Sequence, residues 1–367
     1  MTTTLDRFDV DVYRVPTPAP EADGTLSWDA TIAVTVRAWA GGIAGLGWTY
    51  SAPAAGPVVR DQLASALLDR DAFEIADAHE TMRRACRNLG TRGLVMQAIS
   101  AVDIALWDLK ARLLGVPLST LLGGSIRPVP VYGSGGFTSM SDDELGRQID
   151  DWKAAGCTAM KIKIGQDWGT SEDRDLERTR SFRAWAGPDV DLMVDANGGY
   201  RPGQARRVGE QLDEWGIVWF EEPVSSDDIA GLAGLRRVLR CDVAAGEYLA
   251  DPDDVRRLVS AVDCLQLDVT RCGGYTGFLA GAAQAAAAHL DVSAHCAPAL
   301  HAQLGGAVPR LRHLEWFADH ARLEPELFDG TPPVHGGQMW PSAEVGHGMT
   351  LSNRAAKFLV AGLRLPG

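Results

Sequence analysis

The residues of this chain that could do chemistry sit at one recurring place. Each ends, or nearly ends, a short apolar stretch. Lys161 and Lys163 lie in Ala159-Met-Lys-Ile-Lys-Ile-Gly165. Asp195 ends Asp191-Leu-Met-Val-Asp, Glu221 ends Val218-Trp-Phe-Glu, and Glu247 ends Val243-Ala-Ala-Gly-Glu. Asp268 ends Leu265-Gln-Leu-Asp, His295 ends Val292-Ser-Ala-His, and Glu315 lies in His313-Leu-Glu-Trp316. From Asp195 onward the intervals are 26, 26, 21, 27 and 20 residues, each about one strand plus one helix. Taken singly, a carboxylate after an apolar strand is an ordinary helix cap, and a lone histidine is an ordinary core residue. Seven consecutive strands carrying an ionisable group at the same end are not explained that way. By contrast His79, His289, His301, His313, His320, His335 and His347 show no such register and read as structural, as do the scattered cysteines.

The residue types divide by chemistry. Asp195, Glu221 and Glu247 are three hard-oxygen donors on adjacent strands. That set suits Mg²⁺, and the lack of cysteine or a second histidine among them argues against zinc. Lys161 and Lys163 are two residues apart in a strand and so share a face. Two ammonium groups that close should depress the pKa of one and make it a usable base. Asp268 and His295 come from neighbouring strands, and a carboxylate beside an imidazole orients it and raises its basicity. Glu315 would serve as a protonated donor if its surroundings raise its pKa. A metal between two bases on opposite sides suits removal of a proton α to a carboxylate, with metal and donor stabilising the enediolate.

The elements that must position these residues follow from the pattern. Residues 6–15, 30–38 and 43–50 read as a small antiparallel meander, and the Pro-rich stretch 16–28 reads as a loop long enough to be a flap. Residues 57–115 read as helical. From about 128, strands are expected at 129–134, 158–164, 191–196, 216–221, 242–247, 263–268, 290–295 and 312–316, with helices between, such as Asp142–Ala155 and Gly203–Trp215. This alternation predicts an α/β fold with a parallel TIM-type barrel. The expected organisation is a cap at 1–127, a barrel at 128–320, and a Pro- and Gly-rich segment at 321–367 that returns to the cap.

Composition bounds the function. The 367 residues carry 35 basic and 48 acidic side chains, a net charge of −13. That excludes the basic footprint nucleic acid requires and disfavours anionic membranes. No long apolar run suggests a membrane span. No signal peptide is recognised at the start, and the six cysteines form no Cys-x-x-Cys pair, so a cytoplasmic, reducing location is expected.

At these residues the sequence resembles the enolase superfamily, within it the mandelate racemase subgroup. The resemblance rests on the helix Ser100-Ala-Val-Asp-Ile-Ala-Leu-Trp-Asp-Leu-Lys-Ala111 and on Val194-Asp-Ala-Asn-Gly198, Phe220-Glu-Glu-Pro223 and Ala245-Gly-Glu247. It implies a modified (β/α)₇β barrel under an α+β capping domain. It implies Asp195, Glu221 and Glu247 as Mg²⁺ ligands, Lys163 as one base, and Lys161 as its electrostatic neighbour and a substrate-carboxylate contact. It also implies His295–Asp268 as the opposite acid/base, Glu315 as donor to the enolic oxygen, and Asn197 as a substrate contact. Glu222 is not counted as a ligand. Because cap loops shape specificity in that family, Asp23 in the flap, Trp48 and Tyr50 are candidate substrate contacts. A homo-oligomer is expected by the same resemblance.

Among the reactions this machinery supports, the His–Asp dyad argues against cycloisomerisation of the muconate type and against dipeptide epimerisation. The polar flap residues Glu21, Asp23, Thr25 and Ser27 favour dehydration of an acid sugar, aldonate or aldarate, to a 2-keto-3-deoxy acid. The alternative is a racemase or epimerase of a 2-hydroxy acid. A third reading, a non-catalytic binding protein, predicts broken ligands or bases, and none is broken.

Overall fold

The computed structural model describes residues 3–364. Its first layer is an antiparallel sheet of β1 (Leu5–Ala22), β2 (Ser27–Ala40) and β3 (Ile43–Tyr50). A strand at the other end of the chain, Leu359–Arg364, pairs with β1 from Asp9 to Tyr13 and completes the sheet. The helix Leu94–Leu114 lies across β3. Gly45 and Gly47, alternate residues on one face, let it approach. A Cβ on Gly45 would sit 2.1 Å from the Ala105 carbonyl oxygen, and one on Gly47 2.2 Å from that of Ala101. The same helix is the strut to the second layer. Ser100 Oγ accepts from the Gly273 amide, and the Asp103 carboxylate accepts from the Thr276 amide and hydroxyl.

The second layer is the barrel. Its strands are β4 (Val129–Gly135), β5 (Ala159–Lys163), β6 (Asp191–Asp195), β7 (Ile217–Glu221), β8 (Asp242–Ala245), β9 (Cys264–Leu267), β10 (Asp291–Ala294) and β11 (Leu311–Phe317). All run parallel, and β11 pairs back on β4 to close the ring. Helices such as Asp142–Ala154, Glu172–Ala186, Pro202–Glu214 and Gly274–Ala287 cover the outside, so the strands are almost wholly buried and read as apolar runs. Between β10 and β11 the crossover has only the short helical segments Pro298–His301 and Ala302–Leu304. Inside the ring Tyr132, Met193 and Trp219 fill one layer, with His313 against both aromatic rings. This layer floors the site.

Three sequence expectations change. The stretch 16–28 is not an irregular loop but a β-hairpin arm. The strands continue to Ala22 and resume at Ser27, with a bulge between Pro16 and Glu21. The prolines are tolerated because the Leu359–Arg364 strand covers β1 only as far as Tyr13, which leaves the arm an edge where no ladder donor is needed. Residues 57–115 are not one helical region but several helices, with Ile75–Ala85 and Leu94–Leu114 the longest. Beyond 320 the chain is not simply irregular, since helix Ala318–Leu327 spans that point. A hairpin at Val334–Met339 adds to β4 rather than to the cap.

Candidate active site

Strand register brings the expected residues together. Lys163 pairs with Asp195 and Asp195 with Glu221 on successive strands, so their side chains emerge at one level of the mouth. Glu247 follows β8 after Gly246, where a φ of 137° and the 2.2 Å at which an added Cβ would meet the Gln266 carbonyl oxygen require glycine. Asp195, Glu221 and Glu247 place one carboxylate oxygen each within 4.8 Å of one another.

Around them Lys163 Nζ pairs with Asp195 Oδ2. Lys161 Nζ lies 2.6 Å from Glu221 Oε1, 2.9 Å from Glu315 Oε1 and 3.7 Å from Asp195 Oδ2. Across the mouth His295 Nδ1 meets Asp268 Oδ2 at 2.9 Å, and its Nε2 stands 3.3 Å from Glu247 Oε2 and 3.7 Å from Glu315 Oε2. Glu315 is held by Ser134 Oγ at 2.6 Å and by the Cys296 amide at 2.8 Å. Cys296 and Ala297 both have positive φ, 50° and 39°, and this strained turn aims their amides.

The electrostatics ask for a cation. Asp195, Glu221, Glu222, Glu247, Asp268 and Glu315 are all buried, against the permanent cations Lys161, Lys163 and Arg271. Burial and the neighbouring Asp195 push Glu221 up to about 8. Burial and Glu247 push Glu222 well above the carboxylate range. Glu247 Oε2 and Glu222 Oε1 are buried with no hydrogen-bond donor. Three convergent oxygen donors and such orphaned acceptors fit a hard divalent cation. The group His295, Cys296 and Glu315 also converges, but its imidazole is engaged by Asp268.

The structure corrects several assigned details. Lys163 is not depressed by its neighbour. Burial, the largest single influence, opposes its charge, but Asp195, Glu221 and Glu315 together outweigh burial and Lys161 and hold the ammonium above its ordinary range. The Glu315 carboxyl is not raised as expected. Burial would raise it, yet Lys161, His295 and Lys163 hold it well below the usual range. Lys161 is fully enclosed by its carboxylates, so this arrangement does not offer Nζ to a substrate. Trp48 is no substrate contact, being fully buried and stacked on Phe328 at 4.0 Å. Its Nε1 donates to Tyr50 Oη, which in turn donates to Glu324. The Asp23 carboxylate is spent on its own turn, accepting from the Thr25 and Leu26 amides.

A cavity of about 420 Å³ lies between arm and barrel mouth. Lys163, Asn197, Glu247 and His295 reach it from the barrel, and Asp23, Leu26, Trp28, Thr31, Ile32 and Tyr50 from the cap. Asn197, at φ 45°, donates its amide to Asp195 and keeps Oδ1 without a partner. The sequence suggested a polar flap, and its cavity side carries apolar residues beside Asp23. Sequence reasoning also missed Arg271, which bridges Glu247 Oε1 at 3.0 Å and Asp268 Oδ2 at 3.4 Å. It missed Cys296, whose Sγ is 3.3 Å from His295 Nε2, and His320, stacked on Tyr50 at 3.8 Å. Each lies one to five residues past a strand-end residue, the signal that could have found them.

Comparison with known proteins agrees with this geometry. The model of the mandelate racemase/muconate lactonizing enzyme N-terminal domain matches residues 6–123, and an enolase C-terminal domain-like model matches 144–355. The chain belongs to the mandelate racemase/muconate lactonizing enzyme family. Its fold is the family's barrel with capping domain. A mandelate racemase/muconate lactonizing enzyme-like protein from Rubrobacter xylanophilus superposes with a TM-score of 0.94 at 44% identity, covering 97% of this chain and all of that one. L-talarate/galactarate dehydratase of Salmonella typhimurium is 33% identical over 86% of this chain and 79% of its own. Its structure liganded with Mg and L-lyxarohydroxamate has a TM-score of 0.91 at 28% identity, covering 99% of this chain and 95% of that one. A 3,6-anhydro-alpha-L-galactonate cycloisomerase of Streptomyces coelicolor is 32% identical over 95% of this chain and 97% of its own.

Proposed function

We propose that this enzyme uses Mg²⁺ to remove the proton α to a carboxylate, and that its net reaction is dehydration of an acid sugar to a 2-keto-3-deoxy acid. What carries the reading is the placement of Lys163 and the His295–Asp268 pair on different sides of one three-carboxylate cluster. Asp195, Glu221 and Glu247 would hold Mg²⁺. Bound there, it supplies positive charge to the enediolate oxygens and offsets the excess of carboxylates. Lys163 is held as an ammonium by Asp195 while that carboxylate is free of metal; with Asp195 engaged by the cation, it would take the α proton as the neutral amine. His295, oriented by Asp268 and raised in pKa against burial by Glu247 and Glu315, returns a proton to the departing β-hydroxyl. The C–H and C–O bonds break, water leaves, and the enol ketonises. Asn197 Oδ1 accepts from a substrate hydroxyl, and Lys161 holds Glu221 and Glu315 in place. In this division the cap (1–127) selects, the barrel (128–320) reacts, and the tail (321–367) joins them. A homo-oligomer remains the expectation, checked by light scattering.

Racemisation of a 2-hydroxy acid is the second reading, favoured by the apolar wall of Leu26, Trp28, Ile32 and Phe317. A screen of acid sugars and their lactones, with 2-keto-acid detection, tests dehydration. No product from any of them, with α-proton exchange in D₂O on a 2-hydroxy acid, would establish racemisation instead.

A further inference from the structure

The cap side of the cavity has a charge character that the reaction does not explain. From Val15 to Val36, and again from Ala38 to Val59, the sequence has no lysine or arginine. Every cap residue that reaches the cavity falls in those two stretches. Arg37, between them, is engaged by Asp9 and Asp11. On the barrel side the lining cations are already paired. Lys163 is on Asp195, and Arg271 is on Glu247 and Asp268. Another guanidinium close to the arm, Arg322, is bound to Asp319 and donates to the Pro16 carbonyl.

What this region does contain is negative charge. Asp319 lines the cavity, with Thr31 Oγ1 donating to it. Glu21 of the arm acts as a built-in probe of the local field. Although Trp28 Nε1 donates to it at 2.9 Å, burial and Asp319 push its carboxyl up to about 7. A second anion in the same place would meet the same penalty.

The donor facing the cavity here is a neutral one. The Ala297 amide donates to His320 Nδ1 at 3.0 Å, so the ring proton sits on Nε2. Nε2 has no partner among the described residues. Burial holds the ring's pKa down to about 4, which keeps it uncharged. A neutral N–H donor suits a hydroxyl oxygen, where a carboxylate would call for a cation.

We infer that the acid accepted by this site carries a single carboxylate, bound at the reacting end, and that its far end under the cap is uncharged and hydrogen-bonded by His320. This rests on the α-proton reading of the site but holds for either dehydration or racemisation. Among acid sugars it selects aldonates over aldarates.

The test uses the full chain with Mg²⁺ and pairs of acids of identical configuration that differ only at the terminal carbon, CH₂OH against COO⁻. Turnover is read as 2-keto acid and α-proton exchange, and binding by calorimetry. The monoacid is expected to exceed its diacid partner in kcat/KM on the order of a hundredfold, since a buried carboxylate would go unpaired. Equal or better turnover of the diacids would overturn the inference while leaving the proton-abstraction reading intact. Tighter binding of monoacids with neither turnover nor exchange would sustain the inference and overturn that reading. His320→Phe keeps the ring stack on Tyr50 and removes the donor. It should raise KM for the monoacid by up to roughly tenfold, and an unchanged KM removes His320 from this role.

Discussion

The tip of the arm offers a perturbation that leaves every reacting group in place. Gly24 sits against the strand ends that carry Lys163 and Asp195. A Cβ there would lie 2.6 Å from the Ile164 carbonyl oxygen and 2.9 Å from those of Gly165 and Ala196. Its φ is not in the left-handed region, so Gly24→Ala acts through this clash alone. All three obstacles are backbone atoms, so no rotamer change relieves it. Overpacking of this kind costs about 1–3 kcal/mol. The arm is latched by the Trp168 amide to Gly24 O (2.9 Å), the Thr138 amide to Ala22 O (2.8 Å) and Thr138 Oγ1 to Asp23 O (2.7 Å). At about 1 kcal/mol net each, these are worth about 3 kcal/mol. The strain therefore rivals the whole latch, and the closed arm should lose about 5- to 150-fold in relative population. KM should rise accordingly. Global stability should barely change, because opening the arm relieves the strain locally. A melting temperature within about 2 °C of the parent is expected, with faster hydrogen exchange confined to residues 20–28. A variant whose KM stays within twofold of the parent would show that the arm does not close over substrate, and the reasoning would fail.

Three other outcomes are expected. Mg²⁺ at a hundredfold over its dissociation constant should stabilise the parent by about 2.7 kcal/mol in thermal melts, and Glu221→Gln should abolish that shift without reference to activity; a retained shift removes Glu221 from the ligand set. Asp268→Asn takes a charge from about 4 Å of the imidazolium, worth about 4 kcal/mol at an effective dielectric of 20, so turnover should fall about a thousandfold while Lys163-side proton exchange persists; a loss under tenfold refutes the dyad. Glu21 has a raised pKa in the closed arm, so its ionisation opposes closure: the penalty is absent below about 4.5, grows toward about 7 and is complete above it. KM should rise across that window and level off, and Glu21→Gln should flatten the curve; a variant profile that matches the parent's removes Glu21 as the cause.

The strand-end register was legible because a barrel repeats one unit, and a repeated position survives errors in any single element. The β3 boundaries Ile43–Tyr50 and those of the barrel strands needed only apolar runs and glycine punctuation. What escaped was information held between elements. Prolines at 16, 18 and 20 signal a loop unless it is known that no strand pairs on that edge. Trp48 and Tyr50 alternate onto one face of β3, yet only Tyr50 reaches the cavity, because Phe328, far along the chain, covers Trp48. The two lysines were judged by each other, neighbours along one strand. Their nearer partners, Asp195 and Glu221, come from adjacent strands. His320 and Arg271 sit past the strand ends, where sequence gives no sign of the direction a side chain takes.

The charge balance of the site and of the whole chain then have one physical basis. A pocket that takes an organic anion would ordinarily be basic, and this one is lined below by more carboxylates than cations. Those carboxylates are affordable only because β-strand register stacks Lys161 and Lys163 among them and because two acids, Glu221 and Glu222, resist ionising. The remaining deficit is where a divalent cation gains most, since in a buried site Coulomb attraction is only weakly screened. Once that cation is in place, the reacting end attracts one carboxylate. The cap-facing end of the cavity, with Asp319 and Glu21 nearby and no unpaired cation among its described lining residues, repels another. The same excess of acid that creates the demand for metal at the floor therefore orients the substrate, with its single charge down and its uncharged end toward His320.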